Sequence, residues 1–129
     1  MLELASSYVE RLTGERYTLD ILGINKGVAL INNNGERLEL KFWSSGLADQ
    51  VYLALRLALA KVFSYQVESL PIILDDILVR FDENRQRSAL ELLAELGKNQ
   101  QIWLFTCQRS VYDMAQSIMG IDCHRLSRS

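Results

Sequence analysis

Residues 70–76 read LPIILDD. The apolar run before the acidic pair is the pattern of a short inner strand that is covered on both faces. Ligands of open α/β sheets bind at the carboxyl ends of the strands, where this strand would deliver Asp75 and Asp76. Two adjacent carboxylates repel each other unless a cation lies nearby, and hard cations such as Mg²⁺ prefer oxygen ligands. The stretch therefore predicts an acidic, cation-dependent site at a sheet edge.

The two aspartates can be given different roles. Asp75 would hold the metal, directly or through water, and Asp76 would orient and deprotonate an attacking water. A simpler interpretation is that both residues only end the turn after a strand. A motif this short does not decide between the two interpretations.

The sequence around this stretch predicts an α/β domain with a mainly parallel sheet and flanking helices, because helices and short apolar strands alternate along it. Asp82 is a candidate helix cap, Gly97 a candidate helix end, and Ser110 a second candidate cap. The predicted elements are a helix over 46–65, a strand over 70–74, a helix over 83–96, a strand over 102–105, a helix over 110–119 and a strand over 123–126.

The first third of the chain has a different pattern. A helix over 2–12 is expected to stop near Gly14, and Asn33-Asn34-Gly35 is a strong turn signal between apolar runs. Strands are expected over 17–21, 28–32 and 37–42, which gives an N-terminal β-meander within 16–43. Since the meander is too short to stand alone, residues 1–129 are predicted to form a single domain.

The composition argues against several functional classes of protein. The chain has 129 residues, 49% hydrophobic and 23% charged, with a formal net charge of −2. Scattered basic residues argue against a domain that grips nucleic acid through a basic face. The most apolar window, 51–63, is too short and too charged to span a membrane. A secretory signal is not expected, because no basic stretch followed by an apolar run occurs at the N-terminus. Two cysteines outside any CxxC arrangement favour reduced thiols and a cytoplasmic location.

A small-residue turn precedes the long helix. Residues 43–50 read WSSGLADQ. Ser44 or Ser45 can cap the helix, Gly46 allows a ligand to approach the backbone, and the first-turn amides can bind an anion. The alternative is a plain cap on a core helix, with Asp49 as a favourable first-turn acid.

Taken in order, these segments resemble the C-terminal lobe of an ABC-type, P-loop NTPase-like ATPase head of the SMC, RecF and YhaN-like kind. The stretch 43–50 resembles the signature motif L-S-x-G-x-x-[DE]-Q, 70–76 the Walker B strand, FDENR over 81–85 the D-loop, and WLFTCQ over 103–108 the last strand with its switch position. LTGERY over 12–17 resembles the segment where a returning coiled coil re-enters the head.

The resemblance implies roles for single residues. In such heads two copies sandwich two ATP molecules, so Ser44, Ser45 and Gly46 would contact a nucleotide held mainly by a partner. The remaining implied roles are loop support for Gln50, the Mg²⁺ carboxylate for Asp75, the catalytic base for Asp76, cross-dimer communication for Asp82, a loop brace for Arg85 and the switch position for Gln108.

Several positions depart from the family pattern. Trp43 replaces the usual leucine, Asp76 the usual glutamate and Gln108 the usual histidine. Glutamine can hydrogen-bond a phosphate or water but carries no titratable proton, so slow hydrolysis is expected. No GxxxxGK[ST] phosphate loop occurs in the sequence, so the chain alone is expected to bind ATP weakly and to hydrolyse none.

The expected partners follow from the missing loop. They are a Walker A lobe, on the same or a partner chain, and a second ATPase head, with no membrane partner. DNA contact is left to a coiled-coil parent protein acting in DNA repair or chromosome maintenance. A second functional class stays open, namely a non-catalytic interaction module derived from a degenerate head.

Three further hypotheses carry less weight. His124, Cys107 and Cys123 could suggest a metal site, although they lack the usual ligand spacing. A serine hydrolase is unsupported because no GxSxG elbow occurs. A small α/β domain outside this family would require the ordered motifs to be accidental.

Overall fold

The computed structural model describes residues 2–21, 27–66 and 70–125. Four helices, five strands and one 3₁₀ turn occur in these residues. In chain order they are α1 (Leu2–Leu12), β1 (Tyr17–Ile21), β2 (Val28–Asn32), β3 (Arg37–Glu39), the 3₁₀ turn (Leu40–Phe42), α2 (Ser45–Gln66), β4 (Ile72–Asp75), α3 (Glu83–Leu96), β5 (Ile102–Phe105) and α4 (Arg109–Gln116).

Helix α1 packs through one apolar face. Its buried residues Ala5, Tyr8, Val9 and Leu12 recur at helical spacing. The helix ends where predicted, since Gly14 adopts a φ of 66°, a left-handed conformation that glycine accepts without strain.

Strands β1, β2 and β3 form the predicted antiparallel meander. The turn between β2 and β3 is held by the Asn32 Oδ1 atom, which accepts from the backbone N–H groups of Asn34 and Glu36, both at 2.9 Å. Gly35 supplies the positive φ of 80° that this turn requires.

The predicted third strand was too long. It ends at Glu39, and residues 40–42 form a 3₁₀ turn instead of continuing the ladder. The Trp43 indole N–H donates to the Leu38 carbonyl oxygen at 3.0 Å, and the Trp43 backbone N–H donates to Leu40. These bonds fold the chain back toward α2.

Strands β4 and β5 form the predicted parallel pair, with Asp75 opposite Phe105. The expectation of two covered faces was wrong. Leu74 is fully buried on one face, whereas Ile73, Trp103 and Phe105 on the other face are 59%, 48% and 44% exposed. Within the described residues, the sheet is covered on one side only.

The ends of the later helices partly follow the prediction. Asp82 caps α3 as expected. Helix α4 begins after Gln108 and ends at Gln116, so Ser110 lies inside its first turn and is not the cap, and the helix stops before residue 119. The predicted last strand is absent from residues 123–125, and Leu126 lies outside the described residues.

One hydrophobic core joins the four helices to both sheets. It includes Leu30 of β2 and Leu74 of β4 with the buried faces of α1, α2, α3 and α4. Burial of these side chains fixes the carboxyl ends of β4 and β5 relative to the start of α2. In the ranges that the structure describes, no helix combines the length and apolarity needed to cross a membrane.

Candidate functional site

Asp76 follows the last residue of β4 and is held from three sides. Its backbone N–H donates to the Phe105 carbonyl oxygen at 2.7 Å. The Thr106 hydroxyl donates to Asp76 Oδ1 at 3.3 Å, and the Cys107 thiol donates to Oδ2 at 3.5 Å. Its φ of 52° is left-handed, which is uncommon outside glycine and recurs at functional sites. The surrounding contacts therefore hold a carboxylate in one orientation.

The parallel pairing explains this arrangement. Because Asp75 pairs with Phe105, the next residues of the two strands, Asp76 and Thr106, emerge side by side at the carboxyl edge. Asp75 is exposed and lies on the same face of the sheet as Ile73. Its carboxylate is accessible to a cation.

Gln108 completes this group. Its backbone N–H donates to the Thr106 hydroxyl oxygen at 3.1 Å, so Thr106 links Gln108 to Asp76. The Gln108 Oε1 atom is buried and has no hydrogen-bond partner among the described residues. A buried acceptor without a partner is costly, so a water or ligand donor at this point would relieve it. We call Asp75, Asp76, Thr106, Cys107 and Gln108 the Asp76 cluster.

The second group of predicted residues lies at the start of α2. Ser44 is the cap, because its hydroxyl oxygen accepts from the Leu47 N–H at 3.1 Å and its carbonyl from the Ala48 N–H at 2.9 Å. Ser45 is the exposed first residue of the helix. The sequence left the choice between the two serines open, and the hydrogen bonds identify Ser44.

Gly46 permits a close approach, but by the protein's own backbone. A Cβ atom at this position would lie 3.1 Å from the Arg80 carbonyl oxygen. Arg80 Nη1 also lies 3.6 Å from Asp49 Oδ2. The first turn of α2 is thus packed directly against the segment that leads into α3.

An open pocket of about 320 Å³ lies between these elements. It contains five of the residues with predicted roles, but Ser45, Asp75, Asp76 and Gln108 do not line it. We call it the arginine pocket, and its lining is Arg16, Tyr17, Ser44, Gly46, Leu47, Gln50, Arg80, Asp82 and Arg85.

Gln50 and Asp82 differ in their hydrogen bonding in this pocket. Gln50 is only 1% exposed, and its Oε1 atom is buried without a partner in the described part of the chain. Asp82 caps α3 by accepting from the Arg85 backbone N–H at 2.9 Å, and Arg85 Nη1 lies 2.5 Å from its second oxygen. That backbone hydrogen bond, with the charges of Arg85 and Arg16, lowers the pKa of Asp82 from its ordinary 3.8.

The structure thus places the predicted site residues, apart from Ser45, in two groups, the Asp76 cluster and the arginine pocket. Sequence reasoning missed Arg16, Arg80 and Thr106. The strand register offered a signal for Thr106, because the residue after β5 must neighbour the residue after β4. Arg16 and Arg80 reach the pocket only through tertiary packing, which the sequence pattern does not reveal.

The candidate metal site of His124, Cys107 and Cys123 gains no support. Among the residues that the structure describes, no three histidine, cysteine, aspartate or glutamate side chains are grouped so that they could hold a metal ion. Both cysteines are free thiols.

A curated relative and several solved structures resemble the chain. No protein-family model matches the chain. A curated relative, the uncharacterized protein YhaN of Bacillus subtilis, is 33% identical over 120 residues, which is 91% of this chain and 12% of that protein. The chain therefore spans about an eighth of that relative's length.

Solved structures of SMC heads share the fold. The SMC head domain of Thermotoga maritima matches with a TM-score of 0.68 and 20% identity, over 88% of this chain and 40% of that one. A structure that describes ATP-driven dimerization and DNA-stimulated activation of SMC ATPases matches with a TM-score of 0.66 and 15% identity, over 88% of this chain and 73% of that one. The chain therefore has the fold of part of an SMC-type ATPase head, and its predicted resemblance to the SMC, RecF and YhaN-like heads is confirmed.

Proposed function

We propose that the chain supplies half of a composite ATP site, as the C-terminal lobe of an SMC-like ATPase head. The observation that carries the proposal is that one chain holds two separate partial sites. The Asp76 cluster presents carboxylates at a strand edge, and the arginine pocket presents positive charge at a helix start. A head that contacts one nucleotide through the Asp76 cluster and a second nucleotide through the arginine pocket requires this division.

In the proposed reaction, Asp75 would hold the Mg²⁺ that accompanies the nucleotide, and this cation would neutralise phosphate charge. Asp76 would accept a proton from the attacking water at a carboxylate oxygen. The Gln108 Oε1 atom, which has no partner among the described residues, would accept a hydrogen bond from the same water and so orient it. Glutamine would leave proton transfer to Asp76, because its amide does not titrate near neutral pH.

The exposed face of the β4–β5 sheet is a candidate surface on which a second lobe would pack. Ile73, Trp103 and Phe105 are three large apolar residues on one face, and all three are at least two-fifths exposed. Contiguous apolar surface of this kind marks an interaction site. We propose that a Walker A lobe covers this face and brings the phosphate loop, which the sequence lacks, to the Asp76 cluster.

The wider role follows by analogy with the SMC relatives. We propose that a second head faces the arginine pocket, so that its nucleotide is shared, and that the parent protein acts in DNA repair or chromosome maintenance. The free thiols of Cys107 and Cys123 suit a reducing, cytoplasmic compartment.

The decisive experiment mixes the purified chain with its cognate Walker A lobe and measures magnesium-dependent ATP turnover. We expect turnover in the mixture, none from the chain alone, and loss of turnover with Asp76→Asn. Asp113→Asn is the matched control, because Asp113 lies on α4 outside both groups and pairs only loosely with Arg109, at 4.0 Å. Turnover that persists in Asp76→Asn would contradict the assigned base.

The second candidate function is a non-catalytic interaction module. Glutamine at the switch position favours it, since the family's usual histidine is replaced there. The same mixture decides between the two functions. Stable association with the Walker A lobe but no turnover would support the module and reject the catalytic half-site.

A further inference from the structure

The arginine pocket carries more positive charge than the signature-like stretch alone provides. Three arginines line it, Arg16, Arg80 and Arg85, against the single carboxylate of Asp82. The pocket also lies at the positive end of α2, a helix of 22 residues. Its charge and its concave shape both suit an anion.

The three arginines differ in their partners. Arg85 is paired with Asp82 at 2.5 Å, and Arg80 lies 3.6 Å from Asp49. Arg16 has no carboxylate within 4.0 Å in the described residues, and its side chain is exposed at the pocket. Its guanidinium is therefore the pocket cation that remains available for a ligand.

Gln50 is the independent sign of a ligand. This side chain lines the pocket and is 1% exposed, yet its buried Oε1 atom has no hydrogen-bond partner among the described residues. A buried amide oxygen without a hydrogen-bond partner is energetically costly. Rotation of the amide by half a turn would present its NH₂ group at the same point, where it can donate to an anion.

Ser44 offers a further donor. Its hydroxyl oxygen already accepts from the Leu47 N–H, which leaves the hydroxyl hydrogen free to point to a ligand. Ser44, Gln50 and Arg16 come from separate parts of the chain and line the same pocket. Together they provide a hydroxyl, an amide and a bidentate cation.

We propose that Arg16 binds phosphate in the arginine pocket and receives the terminal phosphate of a nucleoside triphosphate whose other phosphates a second chain holds. That identity of the ligand rests on the proposed function, whereas binding of a phosphate chain to the pocket does not. Arg16 lies outside the signature-like stretch 43–50, so it adds a recognition element that this stretch lacks. The guanidinium fork suits two phosphate oxygens at once.

The test is a titration of the isotope-labelled 129-residue chain with tripolyphosphate, followed through backbone amide resonances. We expect shifts at residues 44–47 that saturate in the millimolar range. Arg16→Ala should weaken binding about tenfold, because one charge-assisted bidentate contact is lost. Arg16→Lys should weaken it less, since the charge remains but the fork is lost.

Arg109→Ala is the matched control, because Arg109 is an exposed arginine on α4 away from the pocket. It should bind tripolyphosphate as the unmodified chain does. Equal affinity in Arg16→Ala, shifts confined to other residues, or no binding by the unmodified chain would each overturn the proposal. Unchanged resonances of core residues such as Leu57 and Leu92 would show that the variants remain folded.

The two proposals fail separately. If the mixture with the Walker A lobe hydrolyses ATP but Arg16→Ala binds tripolyphosphate as tightly as the unmodified chain, only the phosphate role of Arg16 fails. If tripolyphosphate binds with the expected dependence on Arg16 but no mixture hydrolyses ATP, the pocket stands and the catalytic half-site fails.

Discussion

The first turn of α2 touches the backbone of the segment before α3 at one point, where a Cβ atom on Gly46 would lie 3.1 Å from the Arg80 carbonyl oxygen. This carbonyl belongs to a segment with little freedom. Leu78 and Phe81 are buried on either side of Arg80, and the Gln86 side chain donates to the Leu78 carbonyl at 3.1 Å. Glycine at position 46 is therefore explained by packing within the chain.

The first prediction concerns this contact. Gly46→Ala should lower the free energy of unfolding by about 1 kcal/mol, because the Arg80 carbonyl must move by a few tenths of an ångström against a fixed loop. Urea denaturation measures the change. Ser45→Ala is the control, since Ser45 is exposed, and it should change stability by less than about 0.5 kcal/mol. If the Gly46→Ala chain is as stable as the original, the segment around Arg80 can move aside without a cost in stability.

The second prediction concerns pH. The pKa of Asp82 is lower in the folded chain than its ordinary 3.8, mainly because the carboxylate accepts the Arg85 backbone N–H. A group whose folded pKa is depressed contributes stability above its unfolded pKa, and this contribution is lost as the pH falls through the folded value. Asp82→Asn keeps a good helix cap but removes the titration.

The stability difference between the original chain and Asp82→Asn should therefore be constant near neutral pH and shrink as the pH falls below 3.8. Urea denaturation across this range measures it. A difference that stays constant into the acid range would mean that the Arg85 contacts do not favour the ionised form. Because Asp82 is exposed, solvent screening keeps the effect small.

The third prediction tests the support of Asp76. Thr106→Val removes the hydroxyl that donates to Asp76 Oδ1 at 3.3 Å and accepts from the Gln108 N–H. In the completed head, kcat should fall about tenfold with little change in KM, since the carboxylate is misplaced while nucleotide contacts remain. Steady-state kinetics measures both constants. Thr106→Ser keeps the hydroxyl and should restore kcat, and no recovery in Thr106→Ser would assign the loss to the missing methyl group.

The fourth prediction tests the exposed sheet face. Trp103 is 48% exposed, so Trp103→Ala should cost the isolated chain little stability. Association with the Walker A lobe should weaken by about 2 kcal/mol, because buried tryptophans commonly dominate interface energies. Calorimetric titration measures the affinity. Met119→Ala, at a 94% exposed position outside this face, should bind as the original chain does. Equal affinity of Trp103→Ala would exclude this face from the interface.

The sequence predicted the elements whose signals are local. The long helix over 46–65 matches α2 within one residue at each end, and the caps at Gly14 and Asp82 lie where their chemistry requires. The parallel pairing of β4 with β5 followed from the alternation of helices and strands.

The predictions from the sequence were wrong where contacts between distant parts of the chain determine the structure. The apolar run 72–74 looked like a strand buried on both faces, but Ile73 is exposed because no described element packs on it. The alternation over 37–42 looked like a strand, but Leu40 and Phe42 are exposed, and Trp43 folds the chain into a turn. The approach of Arg16 to α2 depends on the packing of α1 and the meander, which no local pattern encodes.

The spacing of the two site groups along the chain has a mechanical consequence. Only residues 77–81 separate Asp76 from Asp82, and the buried side chains of Leu78 and Phe81 anchor that segment in the core. Because this segment is short and anchored in the core, it cannot absorb a displacement at one end by changing its own conformation. We expect a shift of the Asp76 backbone to reach Arg80 within the same movement, which would couple the two proposed nucleotide positions. Hydrogen exchange at the Phe81 amide, which donates to Leu78, would report that movement.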